Sequence, residues 1–187
     1  ESEDAAVRTV GASAGAYVSE HLGPDETLAI GWGRTLAASV AGLQPRKAQG
    51  NRIVTLLGSM VRGNGLNSFD IASRYARTLS GECCYLIAPR VAESAAVARA
   101  LLALEPVREA LEIAAQADLA LIGIDDLTSA STLSQMRQFN ADEYGALKKA
   151  GAVSTLQGVA RDRDGGVIAR RIAARAGGGG ASAFGGV

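Results

Sequence analysis

Aromatic side chains are scarce in this sequence. They make up 4% of its 187 residues, whereas hydrophobic residues as a whole make up 48%. Alanine, valine, leucine and isoleucine must therefore supply the core, and this composition suits helices packed on a buried parallel sheet. A chain of this length can bury such a core as one α/β domain, and we expect residues 1–187 to form a single domain.

A surplus of basic residues is also missing. Lys and Arg number 19, and Asp and Glu number 19, which gives a formal net charge of +0. Neutralisation of phosphates supplies most of the affinity for nucleic acid, so a DNA-binding domain usually carries a basic excess or stripe. We therefore expect this chain to bind no DNA by itself.

Long apolar runs and metal-binding patterns are absent from the sequence as well. No stretch approaches the roughly 18 apolar residues of a membrane-spanning helix, and the acidic start at 1–4 does not resemble a signal peptide. Cys83 and Cys84 are adjacent and His21 is the only histidine, so no Cys/His metal spacing exists. These features predict a cytoplasmic protein with no membrane partner, no metal and no cofactor.

Short apolar segments alternate with helical patterns along most of the chain. Such alternation predicts a doubly wound α/β fold, in which helices cover both faces of a mainly parallel, Rossmann-like sheet. A flexible glycine-rich tail is expected at 176–187. Strands are predicted at 27–30, 53–57, 83–88 and 118–124. Helices are predicted at 5–22, 36–43, 69–79, 94–104 and 106–117, and a further helix should begin at a capping box at Asn140 and end at Gly151. A hairpin turn is predicted at 162–165, between the segments 152–160 and 166–168.

The loop at 31–35 offers the most specific candidate site. In an open parallel sheet, ligands bind beyond the carboxyl ends of the strands, and this loop follows the first strand. Gly31 and Gly33 allow close backbone approach, Arg34 supplies a forked cation and Thr35 supplies a hydroxyl. Together with the free N–H groups of the next helix, this combination suits a phosphate monoester. A tight turn with a surface arginine is an equally open interpretation.

A dinucleotide site is not indicated at this loop. Leu36 stands where the third glycine of the fingerprint belongs, and no acidic residue follows the second strand near Leu57. NAD is therefore not expected as a cofactor.

Two further loops carry polar side chains that could line the same site. Ser59, Asn67 and Asp70 lie in or just after the loop that follows the second strand. Asn67 is expected to cap the next helix, and it could equally bind sugar hydroxyls. Asp125 and Asp126 follow the fourth strand, where paired carboxylates suit acid–base chemistry, metal binding or a loop or helix cap.

A series of short motifs, read in order, resembles the effector domain of SorC-type bacterial transcriptional regulators, which is also grouped with DeoR-like sugar-binding domains. The Gly-Trp-Gly-Arg-Thr sequence at 31–35 and the Ala-Pro pair at 88–89 are the most specific of these motifs. The matching segments lie at 10–16, 30–36, 56–58, 70–76, 84–89, 117–124 and 151–153.

The resemblance implies a fold related to sugar-phosphate isomerases and glucosamine-phosphate deaminases, used here for sensing. It implies that the loop at 31–35 binds a phosphate group and that the loops at 58–70 and from 125 onward shape the rest of the pocket. Members carry an N-terminal helix-turn-helix module, which this chain lacks, and typically assemble as dimers of dimers. The candidate effector-binding residues are Gly31, Trp32, Gly33, Arg34, Thr35, Gly58, Ser59, Asn67, Asp70 and Asp125.

The sequence departs from the family pattern at Ser154 and Thr155, where members commonly have a glycine and an acidic residue near the ligand. We nevertheless interpret the chain as the ligand-sensing domain of a transcriptional regulator. Its expected partners are a sugar or sugar phosphate, further copies of itself as a dimer or tetramer, and DNA only through the helix-turn-helix module. The alternatives are a sugar-phosphate isomerase or deaminase with Asp125 or Asp126 as base, and a pure oligomerisation module. We expect no catalysis, because the three lysines, Lys47, Lys148 and Lys149, all lie outside the strand-end loops.

Overall fold

The computed structural model describes residues 2–59, 65–89, 92, 94–128, 141–156 and 159–168. The predicted cap at Asn140 and the tail at 176–187 lie outside these residues, as do parts of the loops at 58–68, 88–94 and 125–132. The helices are α1 (Glu3–His21), α2 (Arg34–Ser39), α3 (Ser68–Leu79), α4 (Ala95–Leu102), α5 (Glu105–Ala115) and α6 (Ala141–Lys149), with a 3-10 turn at Val40–Gly42. The strands are β1 (Thr27–Ile30), β2 (Arg52–Thr55), β3 (Glu82–Cys84), β4 (Leu119–Leu121), β5 (Ile124–Asp126), β6 (Ser154–Leu156) and β7 (Val159–Arg161).

Four of the strands form a parallel sheet in the order β3-β2-β1-β4. β1 pairs with β2 on one side and with β4 on the other, so the winding reverses beside β1. A crevice forms at such a reversal, beyond the carboxyl ends of the two strands, because the connecting chains leave toward opposite faces.

Helices pack on both faces of this sheet, as predicted. Leu28, Ile30 and Ile53 point to one face, where they join the buried apolar residues of α1, α2 and α3. Ala29 and Val54 point to the other face and contact α5. The alternation follows from the two-residue period of a strand, and it confirms the doubly wound α/β class.

Close backbone contact fixes α1 against α2. A Cβ atom added to Gly15 would lie 1.9 Å from the carbonyl oxygen of Ser39, and one added to Gly42 would lie 2.0 Å from that of Ala12. Gly11 meets the start of α2 in the same way, near the carbonyl of Thr35. Contacts therefore advance together along both helices, so α1 and α2 run side by side in the same direction and begin at the same edge of the sheet.

The predicted strand at 118–124 is wrong in its second half. β4 ends at Leu121, and β5 belongs to a second, antiparallel sheet in the order β5-β6-β7. Gly123 lies between the two strands, and a Cβ atom there would be 3.3 Å from both Leu36 Cδ1 and the Trp32 carbonyl oxygen. An uninterrupted apolar run gave no sign of this break. Asp125 consequently lies within a strand and not in the predicted strand-end loop.

The segment 152–160 also differs from its prediction, because it contains the two strands β6 and β7. The predicted turn at 162–165 is confirmed. The Asp162 carboxylate accepts hydrogen bonds from the backbone N–H groups of Asp164 and Gly166, and Gly165 has a φ of +83°. α6, β5, β6 and β7 enclose a small separate core of Leu127, Leu147, Ala152 and Ala160.

Candidate functional site

Hydrogen bonds join the loops at the carboxyl edge of the parallel sheet into one continuous rim. The Gly31 N–H donates to the Leu121 carbonyl at 2.9 Å, which ties the loop after β1 to the end of β4. The Gly33 N–H donates to the Leu66 carbonyl at 3.3 Å, so the same loop also contacts the start of α3. The Ser59 N–H donates to the Ala88 carbonyl at 2.9 Å, which joins the loop after β2 to the segment after β3. The structure thus brings together three of the predicted loops and the end of β4.

Gly33 shapes the centre of this rim. Its φ of +119° and ψ of 171° lie in a region that side chains rarely adopt, and a Cβ atom there would meet none of the described residues within 4 Å. Gly33 is itself buried, and free space for an incoming group remains on this side of its backbone. α2 itself is a six-residue helix, so its dipole contributes less than the sequence suggested.

The residues flanking Gly33 differ in what they can offer a ligand. Trp32 is buried, as are Gly31 and Gly58, so these three contribute backbone groups and packing more than exposed side-chain surface. Thr35 is half-buried on the first turn of α2.

Arg34 forms an ion pair that the sequence analysis missed. Its Nη2 donates to Glu3 Oε1, and its Nη1 lies 3.8 Å from Asp4 Oδ1. The hydrogen bond to Glu3 is the main cause that raises the pKa of Arg34, and the charges of Asp4 and Asp125 add to it. The guanidinium remains accessible, with 33% of the side chain exposed. No local pattern could reveal this pair, because the acidic residues begin a different helix.

Asn67 and Ser59 hold the second loop together. The Asn67 side chain caps α3 by accepting from the Phe69 N–H, and its Nδ2 donates to Ser59 Oγ at 3.0 Å. The expected capping role is confirmed. Asp70 lies exposed in the first turn of α3 and makes no hydrogen bond or ion pair within the described residues.

Asp125 and Thr155 bring the second sheet to the site. They are directly paired across β5 and β6, so their side chains lie on the same face. Asp125 is half-buried, and its negative charge helps to raise the pKa of Arg34. Thr155 is fully buried, and its Oγ1 has no hydrogen-bond partner in the described part of the chain. The two positions at which the sequence departs from the family pattern therefore include a buried hydroxyl beside a candidate carboxylate.

Neither a metal cluster nor a membrane span is found in the part of the chain that is described. Groups of three or more His, Cys, Asp or Glu side chains suited to a metal do not occur there. None of the helices described is both long enough and apolar enough to cross a bilayer.

These features define a class of protein. A doubly wound α/β domain with open backbone beside a forked cation, at the reversal of strand order, is arranged to bind a small ligand. The chain belongs to the sugar-binding domain family, whose model matches residues 1–183.

Relatives with known names agree with this family. The erythritol catabolism regulatory protein EryD of Brucella abortus (strain 2308) is 30% identical over 140 residues, which cover 74% of this chain and 44% of that protein. The deoxyribonucleoside regulator of Bacillus subtilis (strain 168) is 24% identical over 134 residues, which cover 71% of this chain and 43% of that protein. The chain therefore spans less than half the length of these curated relatives.

Solved structures show the same fold. A DeoR family transcriptional regulator from Listeria monocytogenes superposes with a TM-score of 0.82 at 22% identity, and the match covers 92% of this chain and 68% of that one. The chain is thus a sugar-binding domain of the kind found in DeoR- and SorC-type transcriptional regulators. The sugar-binding family expected from the sequence is confirmed, and the enzyme alternative is not favoured.

Proposed function

We propose that this domain senses a sugar phosphate at the carboxyl edge of its parallel sheet and controls DNA binding by another domain of a longer regulator. The observation that supports this most is the open backbone at Gly33 beside the accessible guanidinium of Arg34. A forked guanidinium matches the oxygens of a phosphate monoester, which accept its parallel N–H donors. Gly31, Trp32 and Thr35 complete the phosphate-binding loop.

The sugar hydroxyls would be bound by the polar groups around this loop. Ser59 and Asn67, joined by their hydrogen bond, border it on the side of β2, next to the buried Gly58. Asp125 accepts from hydroxyl groups on the side of β4. Asp70, at the exposed start of α3, contacts only the outer part of a ligand.

We propose that the domain binds its effector without turning it over. Isomerisation or deamination requires an acid and a base matched to neutral pH. His21 ends α1, whose start lies at the carboxyl edge, so this imidazole lies toward the amino edge and is stacked on Tyr17. The only histidine of the sequence therefore lies away from Asp125 and the rest of the candidate site.

Self-association, a cytoplasmic location and a single-domain organisation of this chain are further parts of the proposal. Val10 and Tyr17 are more than half exposed on α1, which makes this helix a candidate contact between copies. The relatives are named as regulators and are more than twice as long as the matched segment, which supports a regulator with a further domain.

Titration calorimetry of the chain with a panel of sugars tests the proposal. Glucose 6-phosphate, deoxyribose 5-phosphate and erythritol 4-phosphate would be compared with the unphosphorylated compounds. We expect at least one phosphate ester to bind more tightly than its parent sugar, and NMR to detect no product after prolonged incubation. Equal affinity for each pair would remove the phosphate from the proposal, and product formation that is lost in Asp125→Asn would favour an enzyme.

A further inference from the structure

The guanidinium proposed to bind the effector is already bound to carboxylates of the same chain. Arg34 donates to Glu3 through Nη2, and its Nη1 lies 3.8 Å from an oxygen of Asp4. Both acidic residues belong to the first turn of α1, where they also favour the helix dipole. The positively charged group of the site is therefore paired before any ligand arrives.

The packing of α1 on α2 places the two carboxylates next to Arg34. Gly11 and Gly15 bring the backbone of α1 against α2, and the two helices run in the same direction. The first turn of α1 consequently lies beside the first residue of α2, which is Arg34. The glycine contacts between the two helices therefore set the distance between Arg34 and the acidic residues.

We infer that the Glu3 carboxylate is a built-in competitor of the effector's phosphate group, so that phosphate binding at Arg34 releases the start of α1. This inference rests on the proposed function, because it requires that Arg34 binds the phosphate. A carboxylate and a phosphate present the same chemistry to a guanidinium: two coplanar oxygens that accept its parallel N–H donors.

The exposure of the two carboxylates makes them displaceable. The Glu3 side chain is 66% exposed and that of Asp4 is 76% exposed, so water and salt weaken their attraction to Arg34. Exposed pairs of this kind change an equilibrium constant by no more than about fivefold. A phosphate that carries up to two charges and binds in the open space beside Gly33 can replace them.

The competition also works in the opposite direction. By linkage, if the ion pair weakens phosphate binding by a given factor, phosphate weakens the ion pair by the same factor. The effector therefore changes how often Glu3, in the first turn of α1, is paired with Arg34. Coupling of this size contributes to signalling from the sugar site without any rearrangement of the sheet.

Calorimetry on a double-mutant cycle tests the inference, with the tightest-binding sugar phosphate of the panel as probe. Glu3→Gln should bind the ester about two- to fivefold more tightly than the parent chain, because the competing charge is gone. Glu20→Gln removes the same charge from the exposed far end of α1 and should leave the affinity unchanged. In an Arg34→Ala background, Glu3→Gln should bring no gain.

A second readout follows the carboxylate itself. The carboxyl-carbon NMR signal of Glu3 should move when the phosphate ester saturates the parent chain, and the signal of Glu20 should stay in place. The unphosphorylated sugar should move neither signal.

The outcomes separate the inference from the proposed function. If Arg34→Ala loses phosphate binding but Glu3→Gln binds as the parent does, or the Glu3 signal stays fixed, the competition is refuted and the phosphate site stands. If Arg34→Ala binds every ester normally, the proposed phosphate site fails and the inference fails with it. A gain in Glu3→Gln that persists without Arg34 would show a general charge effect and would also overturn the competition.

Discussion

Asp125 and Thr155 face each other across β5 and β6, and the Thr155 hydroxyl is buried there without a hydrogen-bond partner in the described part of the chain. A buried hydroxyl that remains unsatisfied destabilises a fold by about 1–3 kcal/mol. A protein that keeps such a group at a strand centre loses stability in the free state. The position beside a half-buried carboxylate suggests that the hydroxyl serves a ligand.

Thr155→Val is therefore expected to stabilise the free domain while weakening effector binding. Valine has the same shape and removes only the unsatisfied hydroxyl, so the free energy of unfolding should rise by roughly 1 kcal/mol. Urea unfolding measures this gain, and calorimetry measures the loss of affinity. Thr155→Ser keeps the hydroxyl and should retain binding. A destabilised Thr155→Val variant with normal affinity would assign the hydroxyl a purely structural role.

Tyr75 should make the stability of the domain depend on alkaline pH. Burial raises the pKa of Tyr75 to about 12, above the value of about 10 for a tyrosine in the unfolded chain. The folded state thus favours the neutral phenol, and this contribution is complete below pH 10 and disappears as the pH rises through 12. Linkage gives a loss of roughly 2–3 kcal/mol across that interval.

Urea unfolding between pH 9 and pH 12 measures this loss, and Tyr75→Phe is the control. The Ser39 hydroxyl, which is hydrogen-bonded to the phenol, also donates to the Leu36 carbonyl, so it keeps a partner in the variant. The slope of stability against pH should be shallower in Tyr75→Phe. Identical slopes would mean that other groups cause the alkaline loss.

The sequence predicted the parallel sheet and the edge that carries the candidate site, because apolar strands and the loops that follow them are local patterns. It did not predict the Arg34–Glu3 pair, which depends on how α1 lies on α2. Gly11, Gly15 and Gly42 carry the signal of that packing in the sequence, since small residues on one side of a helix allow close approach. The end of β4 was missed for a similar reason, because Gly123 lies close to Trp32 and Leu36, which are distant in the sequence.

Gly15→Ala tests the packing of α1 on α2. The new Cβ atom would lie 1.9 Å from the Ser39 carbonyl oxygen, and two backbones must separate to accept it. We expect the free energy of unfolding to fall by about 1–3 kcal/mol, as in other overpacked sites. Ser13→Ala, on the exposed side of the same helix, should change it by less than about 0.5 kcal/mol. Equal stability of both variants would show that α1 shifts freely on α2.

Arg34→Ala should weaken binding of a phosphorylated sugar far more than binding of the same sugar without phosphate. A charge-assisted hydrogen bond contributes about 1.5–3 kcal/mol, which corresponds to roughly a ten- to hundredfold change in affinity. Arg52→Ala removes the same charge from the exposed start of β2, at the opposite edge of the sheet, and should bind normally. Calorimetry decides between a phosphate ligand and a surface arginine on a tight turn.

Gly33 and Gly145 allow a test in which backbone conformation alone sets the sign of the effect. Among the described residues, a Cβ atom meets nothing within 4 Å at either glycine, so neither alanine variant is crowded there. Gly33 has a φ of +119°, where a side chain is strained by about 1–3 kcal/mol, whereas Gly145 lies inside α6. Gly33→Ala should therefore destabilise the domain, and Gly145→Ala should stabilise it by roughly 0.5–1 kcal/mol. Urea unfolding of both variants measures the two signs. An unchanged free energy of unfolding in Gly33→Ala would mean that the loop relaxes to an ordinary conformation. A loss of effector binding in that variant would then be caused by the altered loop.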